Sequence, residues 1–204
     1  MSRKKKQQFN AIFEIGLYAV CILSAVYYTL HEVYAKSFQA ILTLTVLLLI
    51  RGMVRWTKTE LFPTLRFSVL FFVALAMLIG NLFGFYGVIP YLDKIEHLLS
   101  GVILCFIGLL VIRKMIQKQG MSEFPPPIAV WFSLFFAVAM AGCWEIYEFT
   151  VDRLFGLNSQ NGSLTDTMLD ILCGTAGAAG TALFLAYRAK RHPLSILASD
   201  EARS

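Results

Sequence analysis

Six apolar stretches, each long enough to cross a bilayer, constrain this chain more than any other feature. A membrane helix needs roughly 20 mostly apolar residues. Such stretches run over 9–30, 38–54, 67–89, 93–112, 127–149 and 166–187. Lipid offers no partners to a bare peptide group, so chains cross it as helices or closed barrels. Runs this long and apolar predict an all-α, polytopic membrane helix bundle of about six transmembrane helices. Composition agrees. The 204 residues are 57% hydrophobic and 15% charged, against roughly 25% charged in a soluble domain.

The joints between spans carry stop and start chemistry. Phe124-Pro125-Pro126-Pro127 ends any helix before the fifth span, and Pro127 suits a first helical turn. Ile89-Pro90-Tyr91 makes a short turn, with Asp93 a candidate N-cap of the fourth span. The stretch 156–163 is rich in Gly, Asn and Ser and reads as a loop, and Thr165 or Asp166 can cap the sixth span. The first span follows a Met-Ser-Arg-Lys-Lys-Lys start that resembles a signal peptide. Its apolar run is too long for one and lacks a small-x-small cleavage site, so it reads as uncleaved.

Lysine and arginine predict the orientation. Fifteen of the 18 basic residues fall on one side of a six-span arrangement: Arg3 to Lys6, then Arg51, Arg55, Lys58 and Arg66, then Arg113, Lys114 and Lys118, then Arg188, Lys190, Arg191 and Arg203. Lys36, Lys94 and Arg153 fall on the other. The positive-inside rule then places both termini in the cytoplasm. The expected organisation is a basic cytoplasmic N-terminus (1–8), a six-span domain (9–188) and a cytoplasmic tail (189–204). The net charge of +5 does not imply nucleic acid, because the basic residues flank spans and form no domain of their own.

The acidic residues are placed differently. Asp93 and His97 are four apart and share a helix face, as do Asp166 and Asp170, and Glu145 and Glu148 are three apart. All lie at the non-cytoplasmic ends of spans four, five and six. Ionisable groups at membrane depth are costly and usually have a partner or a task. If the three faces converge, they form a pocket with one imidazole and up to five carboxylates. So many anions share a dry site only if some are protonated or a cation joins them. The expected metal ligands are Asp93, His97, Glu145, Glu148, Asp166 and Asp170. The residues expected to carry chemistry are His97, Glu145 and Asp170. An oxygen-rich site with one imidazole suits a divalent ion such as Mg²⁺, Mn²⁺, Ca²⁺ or Zn²⁺.

Simpler roles stand beside these. His97 can hydrogen-bond Asp93 and do nothing more. Glu96 and Lys94 lie off that face and read as solvated, and Asp152 reads as a loop partner of Arg153. Glu14 is one turn inside span one and can pair with Lys5 or Lys6, while Arg51 can snorkel to the interface. Asn81 reads as an interhelical hydrogen-bonding residue. Cys21, Cys105, Cys143 and Cys173 show no CxxC spacing and read as small packing residues, with a Cys143–Cys173 disulfide open. Gly174, Gly177 and Gly180 give span six a surface for close helix packing. No GxSxG, P-loop, HExxH or dinucleotide fingerprint occurs.

Asp93-Lys94-Ile95-Glu96-His97, then Trp144-Glu145-Ile146-Tyr147-Glu148, then Asp166-Thr167-Met168-Leu169-Asp170 before a Gly-rich span resemble the bacterial YjdF-like inner-membrane proteins of unknown function. The likeness covers about 91–186. The Asp-Lys-x-x-His opening also resembles VanZ-like proteins, which are associated with glycopeptide resistance. Those chains carry an Arg shortly before the later Asp, where this one has Asn158-Ser159-Gln160-Asn161-Gly162-Ser163. The resemblance implies a bacterial cytoplasmic (inner) membrane location and the same six site residues.

The expected function is metal-dependent chemistry on an envelope lipid or lipid-linked head group at the outer leaflet. The alternatives are a small proton-coupled transporter and a non-catalytic envelope or antibiotic-stress protein. Whether the chain is an enzyme, and its oligomeric state, are open at this level.

Overall fold

A computed structural model describes residues 2–59, 61–120, 124–156, 159–160 and 162–191. Most of the predicted tail, including Arg203, and Leu157, Asn158 and Asn161 of the predicted loop lie outside the described residues. The protein is all-α, with no strand among the described residues. Six helices are long and apolar enough to cross a membrane. They are α1 (Arg3–Leu30), α2 (Tyr34–Trp56), α3 (Pro63–Val73, continuing as a π-helical stretch Ala74–Leu82), α4 (Leu92–Lys118), α5 (Pro126–Phe155) and α6 (Leu164–Arg191). Five of the apolar runs read from the sequence lie wholly on one of them, and the run at 67–89 outlasts α3, which ends at Leu82. The helices extend past the apolar runs because flanking polar residues complete the terminal turns.

Caps correct some of the expected boundaries. Pro126 occupies the first turn of α5, as the Pro run predicts. Asp93 is inside the first turn of α4 rather than at its cap. Ser163, not Thr165 or Asp166, caps α6, because its Oγ accepts from the Asp166 N–H at 3.3 Å. Asp152 does not rely on Arg153. Its carboxylate accepts from the backbone N–H groups of Ser159 (2.8 Å) and Gln160 (3.0 Å), and so ties the loop back onto α5. Arg153 lies over the Phe149 ring instead, 5.4 Å from its centroid. The third span ends earlier than 89 because Gly84 turns the chain with φ +79°, a conformation open to glycine without a Cβ penalty.

The chain divides into two compact units, Met1–Glu96 and His97–Ser204, with the division inside α4. In the first unit the core is Leu17, Cys21, Ala40, Leu47, Leu70, Val73, Ala74, Leu78 and Leu82. Polar ties hold its helix ends. Asn10 Nδ2 donates to the Pro63 carbonyl at 2.6 Å. Lys36 Nζ donates to the Asn81 (3.0 Å) and Leu82 (2.6 Å) carbonyls, which are terminal carbonyls that α3 leaves open. Asn81 thus contributes its backbone to an interhelical bond.

Glu14 is the most buried charge among the described residues of this unit, with 3% exposure. It accepts from Tyr18 Oη at 2.5 Å, from Arg51 Nη1 at 3.1 Å and from Arg66 Nη2. Its cationic partners are therefore on α2 and α3, not the Lys5 or Lys6 expected from the sequence. Arg51 is held by this carboxylate rather than merely reaching for the interface.

In the second unit α4, α5 and α6 enclose a core of Cys105, Leu109, Ile112, Ala129, Ala137, Ala178 and Leu185. Cys21 and Cys105 are fully buried packing residues, and all four cysteines are free thiols. Backbones touch where side chains are missing. A Cβ on Gly101 would overlap the Gly174 carbonyl, and one on Gly177 would overlap the Leu98 carbonyl. A Cβ on Gly108 would sit 2.9 Å from the Ser133 Cα. The small residues of α6 are thus a packing surface for α4. Outward, large apolar side chains such as Leu23, Leu49 and Leu183 are exposed, as lipid-facing positions require.

Two predictions follow from these contacts. Gly177→Val should force α4 and α6 apart and cost at least about 3 kcal/mol of stability, at the upper end for overpacked sites. Replacing Arg51 and Arg66 together by Gln strands the Glu14 carboxylate and should cost about 3–5 kcal/mol, the range for breaking a buried pair. Unfolding in detergent by chemical denaturant measures both.

Candidate metal centre

Of the six ligands expected at the ends of α4, α5 and α6, the structure brings Asp93, His97, Glu145 and Asp170 close to one another. His97 lies one turn into α4 and four residues before Gly101. Asp170 lies on α6 four residues before Gly174. The glycine contact between the two helices therefore sits one turn from both side chains and holds them facing each other. Gly174 also lies close under the His97 carbonyl, since a Cβ there would be 3.6 Å from it. Glu145 reaches the same place from α5, ten residues before its C-terminal end.

His97 Nε2 is 3.7 Å from Asp170 Oδ1 and 3.8 Å from Glu145 Oε1. His97, Glu145 and Asp170 are all buried. These gaps exceed a hydrogen bond. They are close to the roughly 3.4 Å separating two ligand atoms on a tetrahedral ion with bonds of about 2.1 Å. Asp93 stands one turn before His97 on the same continuous helix. Ligand atoms of Asp93, His97 and Asp170 all lie within 4.8 Å of one another, and the group could hold a metal ion. Two carboxylates and one imidazole suit a borderline or hard divalent ion, with oxygen donors in the majority.

Glu145 is steadied by a residue that the sequence reading passed over. Gln160, in the α5–α6 loop, donates from Nε2 to the Glu145 carbonyl (3.1 Å) and to its Oε2 (3.3 Å). A Gln in a turn-rich loop carries no period or spacing that would single it out. Ser100 Oγ donates to the His97 carbonyl at 2.7 Å. The other two expected ligands are half-buried. Glu148 Oε1 accepts from the Trp144 indole at 2.9 Å, and Asp166 opens α6. Lys94 Nζ donates to Asp93 Oδ2 at 3.1 Å, so one cation already stands beside this carboxylate.

Glu96 is not solvated. It is 4% exposed, and Tyr86 Oη donates to its Oε2 at 2.6 Å. The Tyr86 ring lies where a Cβ on Gly80 would fall, 2.6 Å from its Cζ. The π-helical turn around Gly80 thus makes room for the tyrosine that holds Glu96. The period of α4 puts Glu96 off the Asp93–His97 face, as the sequence implies, but that second face is covered as well.

Tyr86→Phe should remove one bond to a buried carboxylate and lower stability by about 1.5–3 kcal/mol. Gly80→Ala should do so too by displacing the ring. Thermal unfolding of both variants in detergent checks the assignment, and an unchanged midpoint for both would refute it.

Residues 11–191 match the family described as "Predicted membrane protein (DUF2238)". An uncharacterized protein of Thermotoga maritima is 31% identical over 106 residues, which are 52% of this chain. The match spans 53% of that relative's length. No solved structure matches.

Proposed function

As the chain belongs to the DUF2238 family of predicted membrane proteins, we propose that it binds a divalent metal ion at Asp93, His97 and Asp170 and uses it on an envelope lipid or lipid-linked head group. The observation that carries this reading is the buried imidazole of His97 with carboxylate oxygens at 3.7 and 3.8 Å on two other helices. An acid-rich group this deep needs protons or a cation to be stable. Glu145, Glu148 and Asp166 complete the proposed acidic set. The count of basic residues supports cytoplasmic termini, and hence a site at the outer leaflet of a bacterial cytoplasmic membrane. The YjdF-like and VanZ-like motifs support the same placement.

Bound there, a divalent ion supplies Lewis-acid polarisation of a phosphoryl or carbonyl oxygen. Asp93, His97 and Asp170 would hold it. Glu145, with its second oxygen tied to Gln160, is oriented to take a proton from the attacking hydroxyl as general base. The apolar walls of α4–α6 would admit the acyl or prenyl part of the substrate from the bilayer and keep bulk water away.

The wild-type protein, purified in detergent, should retain a divalent ion, read by elemental analysis. His97→Gln or Asp170→Asn should lower metal affinity by more than roughly tenfold, a loss seen even for outer-shell changes. Glu145→Gln should keep the metal and lose turnover of envelope lipid extracts followed by mass spectrometry. Equal metal retention in wild type, His97→Gln and Asp170→Asn would sink the metal reading. Wild-type turnover by Glu145→Gln would sink its role as base.

A further inference from the structure

The first unit holds a second concentration of charge that the metal reading does not use. Between α1, α2 and α3 lies a cleft of about 360 Å³, within the range of small-ligand sites, which run from about 300 to 1,000 Å³. Its charged lining among the described residues is Glu14, Arg51, Arg55 and Arg66, and its remaining wall is mainly Leu, Ile and Val. Glu60, between the lining residues Thr59 and Leu61, lies outside the described residues. Three guanidiniums therefore face one buried carboxylate, and the cleft stays positive even when Glu60 is counted.

Glu14 alone does not explain three arginines. One cation neutralises it. Arg51 and Arg66 both bond to it, yet their side chains keep 40% and 38% exposure. Each of these bonds to Glu14 uses one guanidinium nitrogen, out of five N–H donors on each arginine. Arg55 makes no ion pair with any described residue, although it lines the same cleft. Planar, poorly hydrated guanidiniums in a group are suited to bidentate recognition of phosphate. An apolar wall leading from such a group suits an amphiphile whose charged end meets the arginines and whose chains lie along the helices.

We propose that this cleft binds a phosphate group, presented by an anionic phospholipid. Arg55 and the outer edges of Arg51 and Arg66 grip the phosphate, while Glu14 holds the latter two in place from below. The basic count puts this end of the unit at the cytoplasmic leaflet, where anionic lipid is attracted by such clusters. The proposal stands apart from the metal site and survives its failure.

The test uses the full chain in a neutral detergent. Native mass spectrometry compares retention of phosphatidylglycerol with that of phosphatidylcholine, in wild type and in Arg55→Gln, a variant that leaves the Glu14 pairs intact. Wild type should prefer phosphatidylglycerol, and Arg55→Gln should reduce that preference roughly tenfold, the size of one charged hydrogen-bond contact. Its thermal midpoint without added lipid should match wild type. Displacement of the lipid by millimolar inorganic phosphate would show that the phosphate group alone is recognised. Retention against phosphate would show that the lipid chains are part of the ligand. Either result supports the site. Equal retention of the two lipids by wild type, or an unchanged preference in Arg55→Gln, overturns it.

Discussion

Two helices of the second unit touch through their backbones, and the candidate site depends on that contact. Gly101 on α4 meets the Gly174 carbonyl, and Gly177 on α6 meets the Leu98 carbonyl. In lipid there is no hydrophobic drive between helices, so close packing of small residues supplies much of their association. Here it also sets a distance. His97 and Asp170 lie one turn from these glycines on each helix, and so are brought within 3.7 Å. With larger residues at the contact, the helices would stand further apart and the carboxylate would lose its neighbour.

Charge is placed by the same economy in both units. Glu14, His97, Glu145 and Asp170 are all buried in spans, where a lone ion is costly. Glu14 is met by two arginines and a tyrosine, and is a solved electrostatic problem in itself. The cluster at α4–α6 is richer in acid than in base. That difference is why the second cluster reads as a cation site and the first as a scaffold that holds arginines for an anion. The two sites have opposite sign.

Several side chains took partners that spacing does not foretell. Glu96 is bound by Tyr86, which itself fits only because Gly80 has no side chain. Asp152 captures two loop N–H groups rather than Arg153. Glu14 reaches α2 and α3, tens of residues away, instead of nearby lysines. In each case helical periodicity says which face a residue occupies, and nothing about what a neighbouring helix presents to that face.

The six spans, their approximate limits and the shared face of Asp93 and His97 were legible in the amino-acid order alone. Lipid permits few folds, helices repeat every 3.6 residues, and both constraints act locally. The small-residue surface of α6 was visible for the same reason. Which helix it met was not, nor was the convergence of His97, Glu145 and Asp170, the support from Gln160 or the arginine cleft. Those depend on the angle and distance at which separate helices pack, quantities set by contacts between residues far apart in the chain.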